Sequence, residues 1–248
     1  MNKPVTACIL IIGNEVLSGR TQDVNLSYLA GQLNELGIQV HEARVIPDIE
    51  QTIIDTLNEV RAKFDYVFTT GGIGPTHDDI TSSCVAKAFG LEFGHNPEAV
   101  AILKTHYKPE DLNEARLRMA QTPKGAILIE NPISKAPGFQ VENVFVLAGV
   151  PKIAQAMFEN LRDRLQGGVP VKSLTVSTNL PEGIIADALG EVQKKFNDID
   201  IGSYPYFKDG KLGVSLVLRG IDENRVKSCD TTVKQMIETL GGRLIFTA

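Results

Sequence analysis

Tryptophan is absent from the 248 residues, and aromatic residues of all kinds make up only 6%. Cysteine is scarce too: Cys8, Cys84 and Cys229 are an odd number set far apart. That spacing gives no metal-ligand pattern and no disulfide framework, and it suits a reducing compartment. Each thiol reads as a small core residue rather than a nucleophile. Charge of one sign is also in short supply. Lys and Arg number 25 against 30 Asp and Glu, a net of −5 without a basic cluster, which argues against nucleic acid as a partner. No apolar run approaches the ~20 residues that a membrane span needs. The opening Met1-Asn2-Lys3-Pro4 has neither a basic leader nor a clear cleavage site, so the apolar stretch behind it reads as a buried strand and not as a signal peptide. The expectation is a cytoplasmic protein with no membrane partner.

What is present is ordinary globular composition, 43% hydrophobic and 22% charged, with enough chain for a full core. Strand patterns at 6–12, 38–46 and 65–70 alternate with amphipathic helices. One helix carries Leu26, Leu29, Ala30, Leu33 and Leu36 on one face and stops at Gly37. The next carries Ile53, Leu57 and Val60, with Asp48 as a candidate cap. This order predicts an α/β domain with a three-layer, mostly parallel sheet. A helical region follows from Pro97 to Gln121, broken near Pro109. Short strands are expected at 126–129, 138–141 and 143–147, then a helix opened by Pro151 with Ala154, Met157, Phe158, Leu161 and Leu165 inward.

Gln166-Gly167-Gly168-Val169-Pro170 is the best linker, dividing the chain into residues 1–167 and 171–248. Beyond it the order is β-α-β-β-α-β, a small ferredoxin-like α+β domain. Lys208-Asp209-Gly210 marks its hairpin, Leu212, Val214, Leu216 and Leu218 alternate as in a half-buried strand, and a last strand at 243–246 ends the motif. Tyr204, Tyr206 and Phe207 either stack on a base or pack inside.

The stretch around which the chain is organised is Thr69 to Thr81. An apolar strand runs into Gly71-Gly72-Ile73-Gly74-Pro75-Thr76-His77-Asp78-Asp79 and then a helix from about Asp79 to Phe89. Glycine lets the backbone take unusual shapes and come close to a ligand. A helix start offers free N–H groups to an anion. The loop is neither a P-loop nor a dinucleotide fingerprint, because it lacks Gly-Lys-Ser/Thr and puts His77 where a third glycine is needed. Two readings stand. The loop is a phosphate cradle beside acids, or Thr76-x-x-Asp79 is a capping box that only ties down a helix end. His77 either meets a phosphate, as a proton donor, or faces solvent.

Position adds weight. In open parallel sheets, ligands sit beyond the carboxyl ends of the strands. Glu15, Asp48 and the Asp78–Asp79 pair each follow a different strand, and right-handed crossovers bring those ends to one edge.

Together the motifs Gly13-x-Glu15-x-Leu17-x-Gly19, Asn25, Pro47-Asp48, Gly71-Gly72-Ile73-Gly74-Pro75-Thr76-x-Asp78-Asp79-x-Thr81, Ala136-Pro137-Gly138-Phe139 and Gly149-Val150-Pro151 resemble the MoaB/Mog, molybdopterin-binding-like, domain over roughly residues 5–165. The Pro-Thr-His-Asp-Asp version and Gly202-Ser203-Tyr204-Pro205 make the whole chain similar to the N-terminal module of competence/damage-inducible protein A and the matching domain of animal FAD synthase. No fused deamidase or adenylyltransferase domain is expected within these residues. The resemblance implies either a pyrophosphatase acting on FAD or ADP-ribose, or a molybdopterin binder that transfers an adenylyl group. A non-catalytic nucleotide-binding module is the third expectation.

For the first activity the resemblance implies Asp48 and Asp79 as catalytic acids. It also implies a divalent metal (magnesium, or cobalt in its place) held by Asp48, Asp78 and Asp79, and potassium. Phosphate or substrate contacts are expected from Gly71, Gly72, Ile73, Gly74, Thr76, His77, Thr81, Glu15, Asn25, Ser134, Lys135 and Gly149. The ligand is a nucleotide or pterin, and a homo-oligomer is expected. The sequence departs from the family pattern at Asn14, Ser134-Lys135 and Ala148, where the family has Asp, Gly-Thr and Pro. Lys135 either gives a phosphate a positive charge or is a plain surface lysine.

Overall fold

A strand that is apolar at nearly every position needs cover on both faces, and β1 (Val5–Ile12) has it. Cys8, Leu10 and Ile12 face one core, while Ala7, Ile9 and Ile11 face another. The computed structural model describes residues 4–208 and 210–245 and places β1 inside a six-stranded sheet. From β1 the chain passes through α1 (Asn14–Leu17), α2 (Asn25–Glu35), β2 (Ile38–Ile46), α3 (Glu50–Lys63), β3 (Tyr66–Thr70), α4 (Thr81–Phe89) and β4 (Phe93–His95). Then come α5 (Pro97–His106), α6 (Glu114–Arg118), β5 (Gln121–Pro123), β6 (Ile127–Ile129), β7 (Gly138–Val141), β8 (Val144–Leu147), α7 (Pro151–Leu161) and a 3-10 turn at Arg162–Arg164.

The sheet order is β2-β1-β3-β8-β7-β6. The first four strands are parallel, and β7 and β6 run antiparallel at one side. α3 and α4 bring Ile53, Leu57, Val60, Cys84 and Val85 to one face. α2 and α7 bring Leu29, Leu33, Met157, Phe158 and Leu161 to the other. This is the three-layer α/β architecture that the alternating pattern predicts. Because four neighbouring strands are parallel, their carboxyl ends share an edge. Two backbone bonds draw those ends together: Gly13 N–H to Ile46 O at 3.1 Å and Gly71 N–H to Leu147 O at 3.2 Å.

The helical stretch expected from 97 to 121 is broken around Pro109 as the sequence predicts, into α5 and α6, but it ends early, at Arg118. Asn96 caps α5 by accepting from the Glu98 and Ala99 amides, and Asn113 caps α6 by accepting from Arg116. The chain leaves the helix after Arg118, and β5, which starts at Gln121, pairs antiparallel with β4. Asparagine caps thus open both helices on either side of the break.

The second compact unit, from Val169, holds β9 (Lys172–Thr178), α8 (Glu182–Lys195), β10 (Asp200–Lys208), β11 (Lys211–Gly220), α9 (Glu223–Thr239) and β12 (Leu244–Ile245). Its antiparallel order is β10-β11-β9-β12, a ferredoxin-like unit. Val214, Leu216 and Leu218 pack against Ile185, Phe196, Cys229 and Val233. Leu212 breaks the expected alternation and is 65% exposed. The register explains it: β9 reaches only Thr178 opposite Val214, so Leu212 lies beyond its cover. Tyr204 and Phe207 are exposed, whereas the Tyr206 hydroxyl donates to the Thr178 carbonyl at 3.2 Å. The expected readings at Met1–Lys3, Asp209 and Phe246 lie outside the described residues. Among the described residues, no helix is long and apolar enough to cross a membrane.

Candidate functional site

Past Thr70 the backbone turns in a way that only glycine permits. Gly71 has φ +102°, and an added Cβ would sit 2.1 Å from the Ile12 carbonyl oxygen. Gly72 has φ +69°, and its Cβ would sit 2.1 Å from Thr81 Oγ. Both positions lie in the left-handed region that side chains avoid. The Thr81 amide donates to the Gly72 carbonyl at 2.9 Å, so the head of α4 is tied to the loop. Among the described residues, the amides of Gly72, Ile73 and Gly74 donate to no other group of the chain. Backbone donors that are left unpaired beside a cavity are available to a ligand.

A cavity of about 480 Å³ opens on that loop, lined by residues 71–75 and by Glu15, Asp79, Asn131, Ser134 and Gly149 among others. It lies at the ends of β1, β3 and β8, where the parallel-sheet rule places a ligand. Gly149 approaches so closely that its Cβ would sit 3.2 Å from Gly71 Cα. Asn25, 4% exposed at the start of α2, donates from Nδ2 to the Gly149 carbonyl at 2.8 Å. Asn25 therefore positions the Gly149 wall. Thr81 is fully buried against Gly72 and holds the other end of the loop.

The four acids expected at strand ends have different roles. Asp79 Oδ2 accepts from the Thr76 amide at 2.8 Å and from the Thr76 hydroxyl. That is the reciprocal half of a capping box, but α4 starts only at Thr81, so the bond closes the turn ahead of the helix. Asp79 also lines the cavity, and among the described residues its Oδ1 accepts no hydrogen bond. Glu15 lines the cavity as well, its carboxylate folded back over Gly13, whose added Cβ would lie 2.6 Å from either oxygen. Asp48 caps a different helix from the one expected. Ile49 stands at the head of α3, and Asp48 Oδ2 instead accepts from the Asn14 amide at 2.8 Å, bridging the ends of β2 and β1. Asp78 and His77 face outward, their side chains 63% and 94% exposed.

Asp48, Asp78 and Asp79 thus do not form the expected metal trio. Among the described residues, no three His, Cys, Asp or Glu side chains gather as such a site requires. Two carboxylates, Glu15 and Asp79, do share the cavity. That is the number from which a magnesium ion is held when substrate oxygens and water fill the rest of its shell.

Ser134 lines the cavity, and its hydroxyl accepts from Asn131 Nδ2 at 2.6 Å. Lys135 departs from the expected phosphate contact. At φ +62° its side chain turns to a separate cavity of about 520 Å³ that also includes Glu98 and Arg164, with Nζ 3.9 Å from Glu130. Burial pushes the Cys8 thiol up to about 12 and those of Cys84 and Cys229 up to about 11, so none is a thiolate nucleophile.

Sequence reasoning missed Asn131 and Met119. Asn131 is 2% exposed and shapes its own loop, accepting from the Ile133 and Ser134 amides and donating to the Ala136 carbonyl. The Asn-Pro pair was a turn signal, and that turn also builds a cavity wall. Met119 left no signal, because its wall is assembled by the unexpected end of α6.

The family model described as a probable molybdopterin binding domain matches residues 8–167, and the one described as FAD synthase, middle domain, matches residues 170–241. The chain is 34% identical to a protein of Archaeoglobus fulgidus over 95% of this chain and 98% of that one. It is 31% identical to a probable FAD synthase of Caenorhabditis elegans over 97% of this chain, which spans 51% of that longer protein. Among solved structures it is similar to the protein CinA, with unknown function, from Thermoplasma acidophilum. The TM-score is 0.61 at 34% identity, covering 64% of this chain and 96% of that one.

Proposed function

The chain belongs to the probable molybdopterin binding domain family, with an FAD-synthase-type middle domain behind it, and from this premise we propose that it is a metal-dependent hydrolase of nucleotide pyrophosphates such as FAD or ADP-ribose. A nucleotide- or cofactor-related role follows from the family alone. The observation that carries the finer reading is the set of unpaired amides of Gly72, Ile73 and Gly74 in a cavity that also holds two carboxylates.

The amides would bind the non-bridging oxygens of one phosphate, aided by the positive end of α4. Glu15 and Asp79 would repel a phosphate strongly at contact distance unless a cation stood between them. They would hold a divalent ion such as magnesium or cobalt, with potassium as a further cation. Such an ion, when bound, polarises the phosphoryl group and lowers the pKa of a bound water. Asp79 is anchored through Oδ2 and keeps Oδ1 for a proton. Water oxygen would bond to one phosphorus and pass its proton to Oδ1, while the bridging P–O bond breaks. Two phosphomonoesters result, one of them AMP. Asn25 would keep the Gly149 wall in place during this step.

The test is AMP release from FAD, ADP-ribose and related dinucleotides, with magnesium, cobalt or a chelator, for the wild type and Asp79→Asn. Turnover should vanish with the chelator and fall roughly 10²–10⁴-fold in Asp79→Asn, the scale of a lost general base. No release from any dinucleotide with any metal removes the hydrolase reading. A pterin that co-purifies would favour the molybdopterin-binding alternative, which the family description supports. Nucleotide binding that is the same in wild type and Asp79→Asn, with no turnover by the wild type, would favour a non-catalytic module.

A further inference from the structure

A second, smaller cavity of about 180 Å³ shares Ile73, Gly74 and Asp79 with the first. Its remaining lining is mostly polar and includes Arg118, His77, Ser82 and Gln121. The segment that ends α6 serves both spaces, because Arg118 lines the smaller cavity and its neighbour Met119 the larger. Arg118 is exposed, and among the described residues its guanidinium has no carboxylate, carbonyl or aromatic partner. Its neighbour Arg116 differs: it bonds to the Asp111 carbonyl and lies over the Tyr107 ring at 4.3 Å. A guanidinium that lines a polar hollow and, among the described residues, is paired with no carboxylate suits a phosphate, which it meets with two parallel N–H donors. The volume falls below the roughly 300–1,000 Å³ of a complete small-molecule site. The hollow is therefore an annex of the first cavity.

We propose that Arg118 binds the second phosphate of a diphosphate ester whose first phosphate lies on the amides of residues 72–74, so that the diphosphate straddles the shared wall of Ile73, Gly74 and Asp79. This rests on reading the glycine loop as a phosphate cradle. It adds the residue that selects a diphosphate over a monophosphate, and it places Asp79 beside the bridge between the two phosphates.

The test is calorimetric titration with AMP and with α,β-methylene-ADP, whose P–C–P bridge cannot be hydrolysed, so binding is read without turnover. The wild type should bind the diphosphate more tightly. Arg118→Gln should weaken α,β-methylene-ADP roughly tenfold or more, the scale of a lost charged hydrogen bond, and AMP by less than about threefold. Arg118→Lys should keep part of the affinity, and Arg116→Gln should change neither ligand. Equal weakening of both ligands by Arg118→Gln, or of neither, overturns the subsite. If the wild type binds neither nucleotide, the cradle reading fails and the subsite with it. If nucleotides bind as described but no dinucleotide is cleaved, the hydrolase reading fails and the subsite stands.

Discussion

Alanine at Gly71 and at Gly74 should have opposite consequences, although the two sit in one loop. At Gly71 the backbone is left-handed, and the new Cβ would lie 2.1 Å from the Ile12 carbonyl oxygen. The conformational strain alone costs about 1–3 kcal/mol. The overlap is with backbone at the end of β1, which is buried on both faces, so relief requires the sheet to move at about 1–3 kcal/mol more. Together these reach roughly 2–6 kcal/mol, a large part of the ~5–15 kcal/mol that holds an ordinary domain folded. At Gly74 the backbone is not left-handed, and the new Cβ meets Asp79 Oδ2 at 2.7 Å. Alanine there gains roughly 0.4–1 kcal/mol by restricting the unfolded chain. Against that stands the Asp79–Thr76 contact, worth about 1 kcal/mol at a partly exposed turn. The net change in stability should be within about 1 kcal/mol, while the Asp79 carboxylate is pushed from its place and AMP release is lost. Hydrogen exchange of the β1 amides in increasing urea reads the first unit separately from the second. A Gly71→Ala protein within about 0.5 kcal/mol of wild type, the size of an ordinary surface change, would refute the steric reasoning. So would a Gly74→Ala protein as unstable as Gly71→Ala.

Asp48→Ala should cost about 0.5–2 kcal/mol, as a lost cap does, and speed exchange of the Asn14 amide, with Asp48→Asn close to wild type; unchanged exchange would remove the bridge between β1 and β2. Asn25→Ala should destabilise by about 1–3 kcal/mol, because the Gly149 carbonyl loses its buried donor, and should raise KM more than it lowers kcat; wild-type stability and kinetics would contradict its positioning role. Bonds from Lys63 and then Arg44 hold the Glu42 carboxyl below the usual glutamate range. A depressed folded pKa means that the stabilisation is present above the unfolded pKa, about 4.3, and is lost as pH falls through the lower folded value. Melting temperatures should therefore favour wild type over Glu42→Gln at pH 7 and converge below about pH 4; a constant gap would contradict this.

The fold was readable in the sequence wherever periodicity was strong. β1 shows an apolar run of both-face burial, and α7 carries Ala154, Met157, Phe158 and Leu161 inward at helical spacing, with Leu165 just beyond its end. The glycine loop was readable because Gly71 and Gly72 occupy conformations open to few other residues. What was not readable is which way a polar side chain turns. Asp48 sits two residues before α3 and looks like its cap, yet a partner 34 residues earlier claims it. Lys135 lies in a matching motif, but its left-handed backbone sends it to another cavity. Arg118 and Met119 reach the site because the chain ends its helix at Arg118 and pairs Gln121–Pro123 with β4, a long-range choice that local pattern does not encode.

Backbone amide chemical shifts of the ¹⁵N-labelled protein, titrated with ADP-ribose and magnesium, report whether the glycine loop holds the phosphates. Gly72, Ile73 and Gly74 should be among the amides that move most. Unmoved glycine amides, with the largest shifts instead around Lys135 and Arg164, would contradict it.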